Sequence, residues 1–148
     1  AIGGVRDPYI LAQVDSWLAE LKLFFAERLK ELTGKTLGDE VQIDIAQYGR
    51  NAVMGKLEPL LEQIPHELGL LFTVTAPEQT LANDVARFVT HAASHWPISE
   101  WDGFISSIAF PFSPPEIDRG PVYRFTLNHI LIPESPLSAF RFEIEDFQ

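Results

Sequence analysis

The sequence of 148 residues contains no cysteine, few basic residues and no hydrophobic run long enough to cross a bilayer. Without cysteine, disulfides, thiolate nucleophiles and cysteine metal sites are excluded. Eleven Lys and Arg residues against twenty-one Asp and Glu give a net charge of −10, which disfavours binding to nucleic acid or to an anionic membrane surface. With no signal peptide visible, we expect a cytoplasmic protein.

The residues that are present indicate one globular domain. Hydrophobic residues make up 46% of the chain and charged residues 22%. A chain of this length can bury a core, so we expect a single α+β domain over residues 1–148. Since the chain begins at Ala1 with sequence that is already patterned, we interpret it as a fragment of a longer protein.

Helical periodicity is clearest from about Pro8 to Thr33, where apolar residues recur every three or four positions. Asp7 and Pro8 resemble an N-cap and the first helical residue, and Gly34 can take the left-handed conformation that ends a helix. A second helix is expected from about Pro77 to His95. The predicted core contacts between helices and sheet involve Trp17, Leu21, Phe72 and Phe88.

Alternation of apolar and polar residues predicts the strands. A brief strand is expected at the start of the chain, and others over residues 41–48, 68–76, 104–112, 122–132 and 140–147. Phe104, Ile108 and Phe110 are expected on one face of their strand and Ile105 on the other, while Phe140, Phe142 and Ile144 are expected to face inward. The order of elements predicts a ferredoxin-like split βαβ sandwich, an antiparallel sheet with two helices on one face.

The stretch YGRNAVMG, from Tyr48 to Gly55, is the most distinctive candidate site. It lacks phosphate-loop spacing, but its glycines permit positive φ, and Arg50 and Asn51 offer donors to an anion. The alternative is a plain turn at a strand exit with a solvated Arg50. Arg119 lies beside a second Gly-Pro turn, and we hypothesise that it converges with Arg50 on a carboxylate or phosphate.

The histidines give weaker signals. His91 and His95 are one helical turn apart, but no third ligand is indicated, so we predict no metal site and no cofactor. His129 is a candidate ligand-binding residue, with a hydrogen-bonded strand histidine as the alternative. No serine-nucleophile motif or carboxylate pair is present, so the catalytic residues, if any, are unknown.

Several unusual strings carry a family resemblance: GVRDPYILAQVDSWL, YGRNAVMG, PHELGL, AFPFSPPEI and GPVYRFTLNHIL. Together they resemble the C-terminal region of acyclic terpene utilisation (AtuA-like) proteins of unknown function, from Gly4 to about Leu131. Two positions depart from the family pattern: Trp96–Ser99 replaces a Tyr-Pro-Gly turn, and Ala52 stands where the family has Gly. The resemblance implies a larger preceding α/β domain and a pathway that degrades branched acids as CoA thioesters.

Two classes of function follow. The first is a non-catalytic accessory or assembly domain that docks on the larger α/β domain and helps to bind an acyl or carboxylate substrate, with a homo-oligomer also considered. The second is an enzyme or enzyme half acting on branched acyl-CoA or carboxylic acid compounds. In either class the predicted ligand-binding residues are Arg50, Asn51, Arg119 and His129.

Overall fold

The fold was obtained as a computed structural model, which describes residues 1–99, 108–123, 125–130, 132–135 and 137–146. It is an α+β arrangement in which helices pack on an antiparallel sheet. The elements in chain order are β1 (Ile2–Val5), α1 (Pro8–Ala12), α2 (Val14–Thr33), β2 (Gln42–Tyr48), a short 3₁₀ turn (Gly55–Leu57), β3 (Leu68–Thr75) and α3 (Gln79–His95). No helix in the described part of the chain is long and apolar enough to cross a membrane.

The first predicted helix forms between the expected ends, but it is interrupted once. Asp7 caps it by accepting hydrogen bonds from the main-chain N–H groups of Tyr9 at 2.8 Å and Ile10 at 3.2 Å. Gln13 leaves the helical conformation, with φ −129° and ψ 28°, and separates α1 from α2. Gly34 ends α2 in the left-handed conformation, and its N–H donates to the Lys30 carbonyl.

The sheet has three strands in the order β1-β3-β2, and both pairings are antiparallel. Val5 lies opposite Leu68, Ile45 opposite Phe72 and Ile43 opposite Val74, so these side chains share one face. Outside the named strands, Gly4 and Ala109 exchange two main-chain hydrogen bonds of 2.8 and 2.9 Å on the outer side of β1.

Helices α2 and α3 contact each other and cover that face. Phe25 on α2 meets Phe88 on α3 edge to face, with ring centroids 5.7 Å apart. Trp17, Leu21 and Phe72 are buried as predicted, whereas Phe88 is only half-buried at the rim of the same core. Ile108 is buried and Phe110 half-buried over Gly3 on this face; Phe104 and Ile105 lie outside the described residues.

The two predicted C-terminal strands are not found in the described part of the chain. Residues 122–123, 125–130 and 140–146 form no sheet ladder there and are exposed. Phe140, Phe142 and Ile144, expected to face inward, are 66, 72 and 91% exposed, so that prediction is wrong. The physical reason is that a segment with alternating apolar and polar residues forms a sheet only when another strand lies beside it. None among the described residues lies beside these segments.

Candidate functional site

Two cavities lie beside the sheet, one along the outer side of β2 and one beside Thr73–Thr75 of β3. Phe72 exchanges hydrogen bonds with Ala1: its N–H donates to the Ala1 carbonyl at 2.8 Å, and the Ala1 ammonium donates to its carbonyl at 2.9 Å. Main-chain direction alternates along an antiparallel ladder, so the N–H and C=O groups of Phe72 point to the β1 side and those of Thr73 to the β2 side. By the same alternation, Ile43 and Ile45 turn away from β3, towards the outer side of β2.

The first cavity, about 460 Å³, follows this outer side of β2. We call the stretch Gln42–Ala46 the β2 edge. At one end residues 36–38 close it, because the Gly38 N–H donates to the Val41 carbonyl at 2.8 Å. At the other end the Ala52 N–H donates to the Gln47 carbonyl at 3.0 Å. The main-chain groups of Ile43 and Ile45 lie open between these two closures, since no backbone partner for them is found in the described part of the chain.

Arg50 holds the loop in place beside this cavity. Its Nη1 donates to Asp15 Oδ1 and its Nη2 donates to Asp15 Oδ2 at 2.8 Å, while Nε donates to the Leu61 carbonyl at 3.3 Å. The Arg50 side chain is 12% exposed and the Asp15 side chain 71%. The hydrogen bond from Arg50 lowers the pKa of Asp15 and raises the pKa of Arg50 itself, in each case as the main cause. The guanidinium is therefore already occupied by protein acceptors.

Gly49 explains why the loop begins as it does. Its φ of +98° lies in the region that side chains rarely adopt, and a Cβ atom there would stand 3.0 Å from the Glu67 carbonyl oxygen. Asn51 follows Arg50 and lines the 460 Å³ cavity together with Lys22 and Lys56. The stretch YGRNAVMG thus combines a tight turn that requires glycine with residues that line one wall of a cavity.

The second cavity, about 840 Å³, is a groove lined by Ala1, Ile2 and the β3 residues Thr73–Thr75. We call it the β3 groove. One wall is α3, through Ala82, Asn83 and Ala86, and the other is residues 116–122, which include Arg119.

The charges of the β3 groove are mixed. Asn83 donates to Asp118 at 3.3 Å, and Arg87 donates through Nε to Glu116 at 3.2 Å. Burial lowers the pKa of the Ala1 ammonium; the nearby Glu116 raises it and Arg119 lowers it further. The groove therefore holds both signs of charge and apolar walls.

The four predicted site residues do not form one site. Asn51 lines the first cavity, Arg50 is bound to Asp15 beside it, and Arg119 lines the second cavity. Arg50 lies in the loop after β2, which ends at Tyr48 opposite Gly69, whereas Arg119 lines the β3 groove and lowers the pKa of the Ala1 ammonium, which is bonded to Phe72. His129 is exposed and lines neither cavity. The expected convergence of Arg50 and Arg119 is therefore not observed, and a ligand-binding role for the four residues stays a prediction.

The features that stand out in the structure were not visible in the sequence. Asp15 is the partner of Arg50 from 35 positions away, and no local pattern indicates it. The open main-chain groups of Ile43 and Ile45 depend on where neighbouring segments end. Among the described residues no group of three His, Asp or Glu side chains could hold a metal ion, although the His91 and His95 rings lie 5.2 Å apart.

Of the two cavities, the first is suited to accept an extended main chain, because the β2 edge offers main-chain groups that have no partner among the described residues and are flanked by apolar side chains. Neither brings together a nucleophile, a base and an oxyanion donor among the residues named above. Comparison of the chain with protein-family models, with curated proteins and with solved structures finds no match.

Proposed function

We propose that this chain is a non-catalytic accessory domain of an AtuA-like protein and that it docks on a larger α/β domain. The observation that carries the proposal is the apolar C-terminal stretch over residues 122–132, whose described residues are all exposed. Tyr123, Phe125 and Leu127 alternate with polar positions and present their side chains to solvent. Exposed apolar stretches of this kind mark protein interaction sites.

The strand-like alternation supports a particular kind of contact. A lone strand is not stable in water and gains stability when it joins a sheet or packs on a surface. A docked segment 122–132 would bury side chains that are costly to expose, at roughly 1.5–3 kcal/mol for each large apolar side chain fully buried. A larger α/β domain, which the family resemblance implies, supplies such a surface.

We also propose that the domain is a ferredoxin-like split βαβ sandwich. The strand order β1-β3-β2, the two antiparallel pairings and the packing of α2 on α3 support this. The Gly4–Ala109 hydrogen bonds support a fourth strand on the outer side of β1, which that fold requires.

A role in binding an acyl or carboxylate substrate has less support. The β3 groove offers Arg119 and apolar walls to such a ligand, but Glu116 and Asp118 also line it and would repel a carboxylate. For the alternative enzyme function, the two cavities provide no arrangement of catalytic groups that favours it.

The experiment measures binding between this chain and the purified α/β domain of an AtuA-like protein by calorimetry. The test variant is the double substitution Phe125→Asp with Leu127→Asp, and the matched control is Thr126→Asp with Asn128→Asp on the alternate positions. Since all four residues are exposed and outside the core, both variants should fold like the wild type. We expect the dissociation constant to rise at least about 10-fold in the test variant and little in the control.

Two outcomes would contradict the proposal. One is a wild-type chain that does not bind the α/β domain. The other is equal binding by the two double variants, which would show that the apolar positions of residues 122–132 do not form the contact.

A further inference from the structure

We propose that two copies of this chain associate by exchanging the segment Phe140–Glu143, which adds as a strand to the β2 edge of the other copy. We call this segment the C-terminal arm. The association uses a different part of the chain from residues 122–132 and does not depend on the docking proposed above.

The β2 edge offers a defined length of open main chain. Residues 36–38 close it at Val41 and the Arg50–Ala52 turn occupies the Gln47 carbonyl, so between these points Ile43 and Ile45 expose outward N–H and C=O groups that have no partner among the described residues. Their side chains lie on the helix face, and Asp44 between them points to the opposite face. A short, exposed edge of this kind is a template for pairing with another chain.

The C-terminal arm has the complementary pattern. Phe140 and Phe142 alternate with Arg141 and Glu143, and the two rings lie 6.4 Å apart on the same side. A turn precedes the arm and sets its start. In this turn the Phe140 N–H donates to the Leu137 carbonyl at 3.1 Å. The arm lies exposed, and no neighbouring strand among the described residues pairs with it.

One antiparallel register satisfies both partners. With Phe140 opposite Ile45 and Phe142 opposite Ile43, the apolar side chains meet on the helix face of the sheet. Three new main-chain hydrogen bonds then form, from the Ile45 N–H to the Phe140 carbonyl and in both directions between Phe142 and Ile43. The same register places Arg141 directly opposite Asp44, so a positive charge meets a negative one on the other face.

The wider charge pattern agrees with this register. Lys22 and Lys56 line the cavity along the β2 edge. The chain from Glu143 to Asp146 carries three carboxylates, which these lysines attract. A register shifted by two residues would instead place Glu143 opposite Asp44, and this like-charge pair selects against it.

The occupant we infer is a second copy because each copy carries both the open β2 edge and a C-terminal arm whose pattern matches it. Reciprocal exchange therefore uses both features of both copies and closes on itself with two-fold symmetry. Two identical contacts then form at once, so each strengthens the other.

The experiment is a charge swap read by light scattering after size exclusion and by sedimentation. Asp44→Arg places two arginines opposite each other, and Arg141→Asp places two aspartates opposite each other. Each single variant should dimerise at least about 10-fold more weakly than the wild type, since both contacts of the dimer become repulsive. An equimolar mixture of the two variants should restore dimers, because the only favourable pairs are then formed between unlike chains.

The matched control is Arg28→Asp, an exposed charge reversal on α2 that leaves the dimer unchanged. A chain ending at residue 138 should be monomeric with unchanged circular dichroism, as the arm contributes nothing to the core. A monomeric wild type, including one in which the arm docks on its own copy, would overturn the proposal. So would single variants that dimerise like the wild type, or a mixture that stays monomeric.

Discussion

The sequence predicts that Arg50 binds a ligand, whereas the structure shows that it holds a loop in place. Replacing Arg50 distinguishes between these two roles. In the structure the guanidinium holds the loop after β2 by binding Asp15, Gln47 and the Leu61 carbonyl. Arg50→Ala removes all of these contacts from a side chain that is 12% exposed. We therefore expect it to destabilise the fold, whether or not an anion binds.

The magnitude follows from the individual contacts. The hydrogen bond from Nε to the Leu61 carbonyl involves a charged donor and contributes roughly 1.5–3 kcal/mol. The pair with Asp15 adds less than about 1 kcal/mol, because the carboxylate is 71% exposed and screened by solvent. Arg50→Ala should thus lower the free energy of unfolding by about 2–3 kcal/mol, whereas Asp15→Ala should lower it by no more than about 1 kcal/mol.

Urea unfolding followed by the fluorescence of the buried Trp17 measures both changes. Arg50→Lys is the matched control: it keeps the charge but loses the planar fork, so most of the destabilisation should remain. Equal losses in Arg50→Ala and Asp15→Ala would refute the reasoning, because they would assign the whole effect to the ion pair. An Arg50→Ala variant as stable as the wild type, with anion binding lost, would restore the ligand role predicted from the sequence.

Three further predictions concern the fold. Leu21→Ala should cost roughly 2–5 kcal/mol because the side chain is fully buried, whereas Leu23→Ala on the exposed side of α2 should cost little; equal melting temperatures would contradict this. Gly49→Ala should destabilise more than Gly38→Ala in the same urea assay, since both have positive φ but only Gly49 faces a carbonyl oxygen at 3.0 Å. Because Arg50 lowers the pKa of Asp15, the wild type's stability advantage over Arg50→Ala should be full above about pH 4 and shrink as the pH falls through the lowered pKa; a constant difference in acid titration would be inconsistent with the pairing.

The elements with strong local signals could be predicted from the sequence. Apolar residues at helical spacing gave α2 and α3, and Asp7, Pro8 and Gly34 marked the ends of the first helical region. Alternation gave β2, and a continuous apolar run gave β3. These signals succeed because capping and the burial of one face are decided within a few residues along the chain.

The candidate site could not be predicted in the same way. The pairing of Arg50 with Asp15 depends on how α2 crosses the end of β2, which no local pattern encodes. The openness of Ile43 and Ile45 depends on where residues 36–38 and the turn after Gln47 end, which β2 itself does not encode. Likewise, the alternation in 122–132 and 140–147 indicates a strand but does not say which sheet it joins.

The difference between having a strand pattern and having a sheet to join connects the fold to the proposed roles. Among the described residues, residues 1–98 and Ile108 supply the helices, the sheet and the buried core, and those after residue 121 contribute no buried hydrophobic side chain to it. They nevertheless keep the apolar alternation of sheet-forming strands, including phenylalanines and isoleucines that are costly to expose. A strand pattern that joins no sheet among the described residues, in a chain whose β2 edge is open, is best satisfied by contact with another chain. Because the open groups are main-chain N–H and C=O groups, the specificity of that contact must come from side chains across the register, of which Arg141 and Asp44 are the decisive pair.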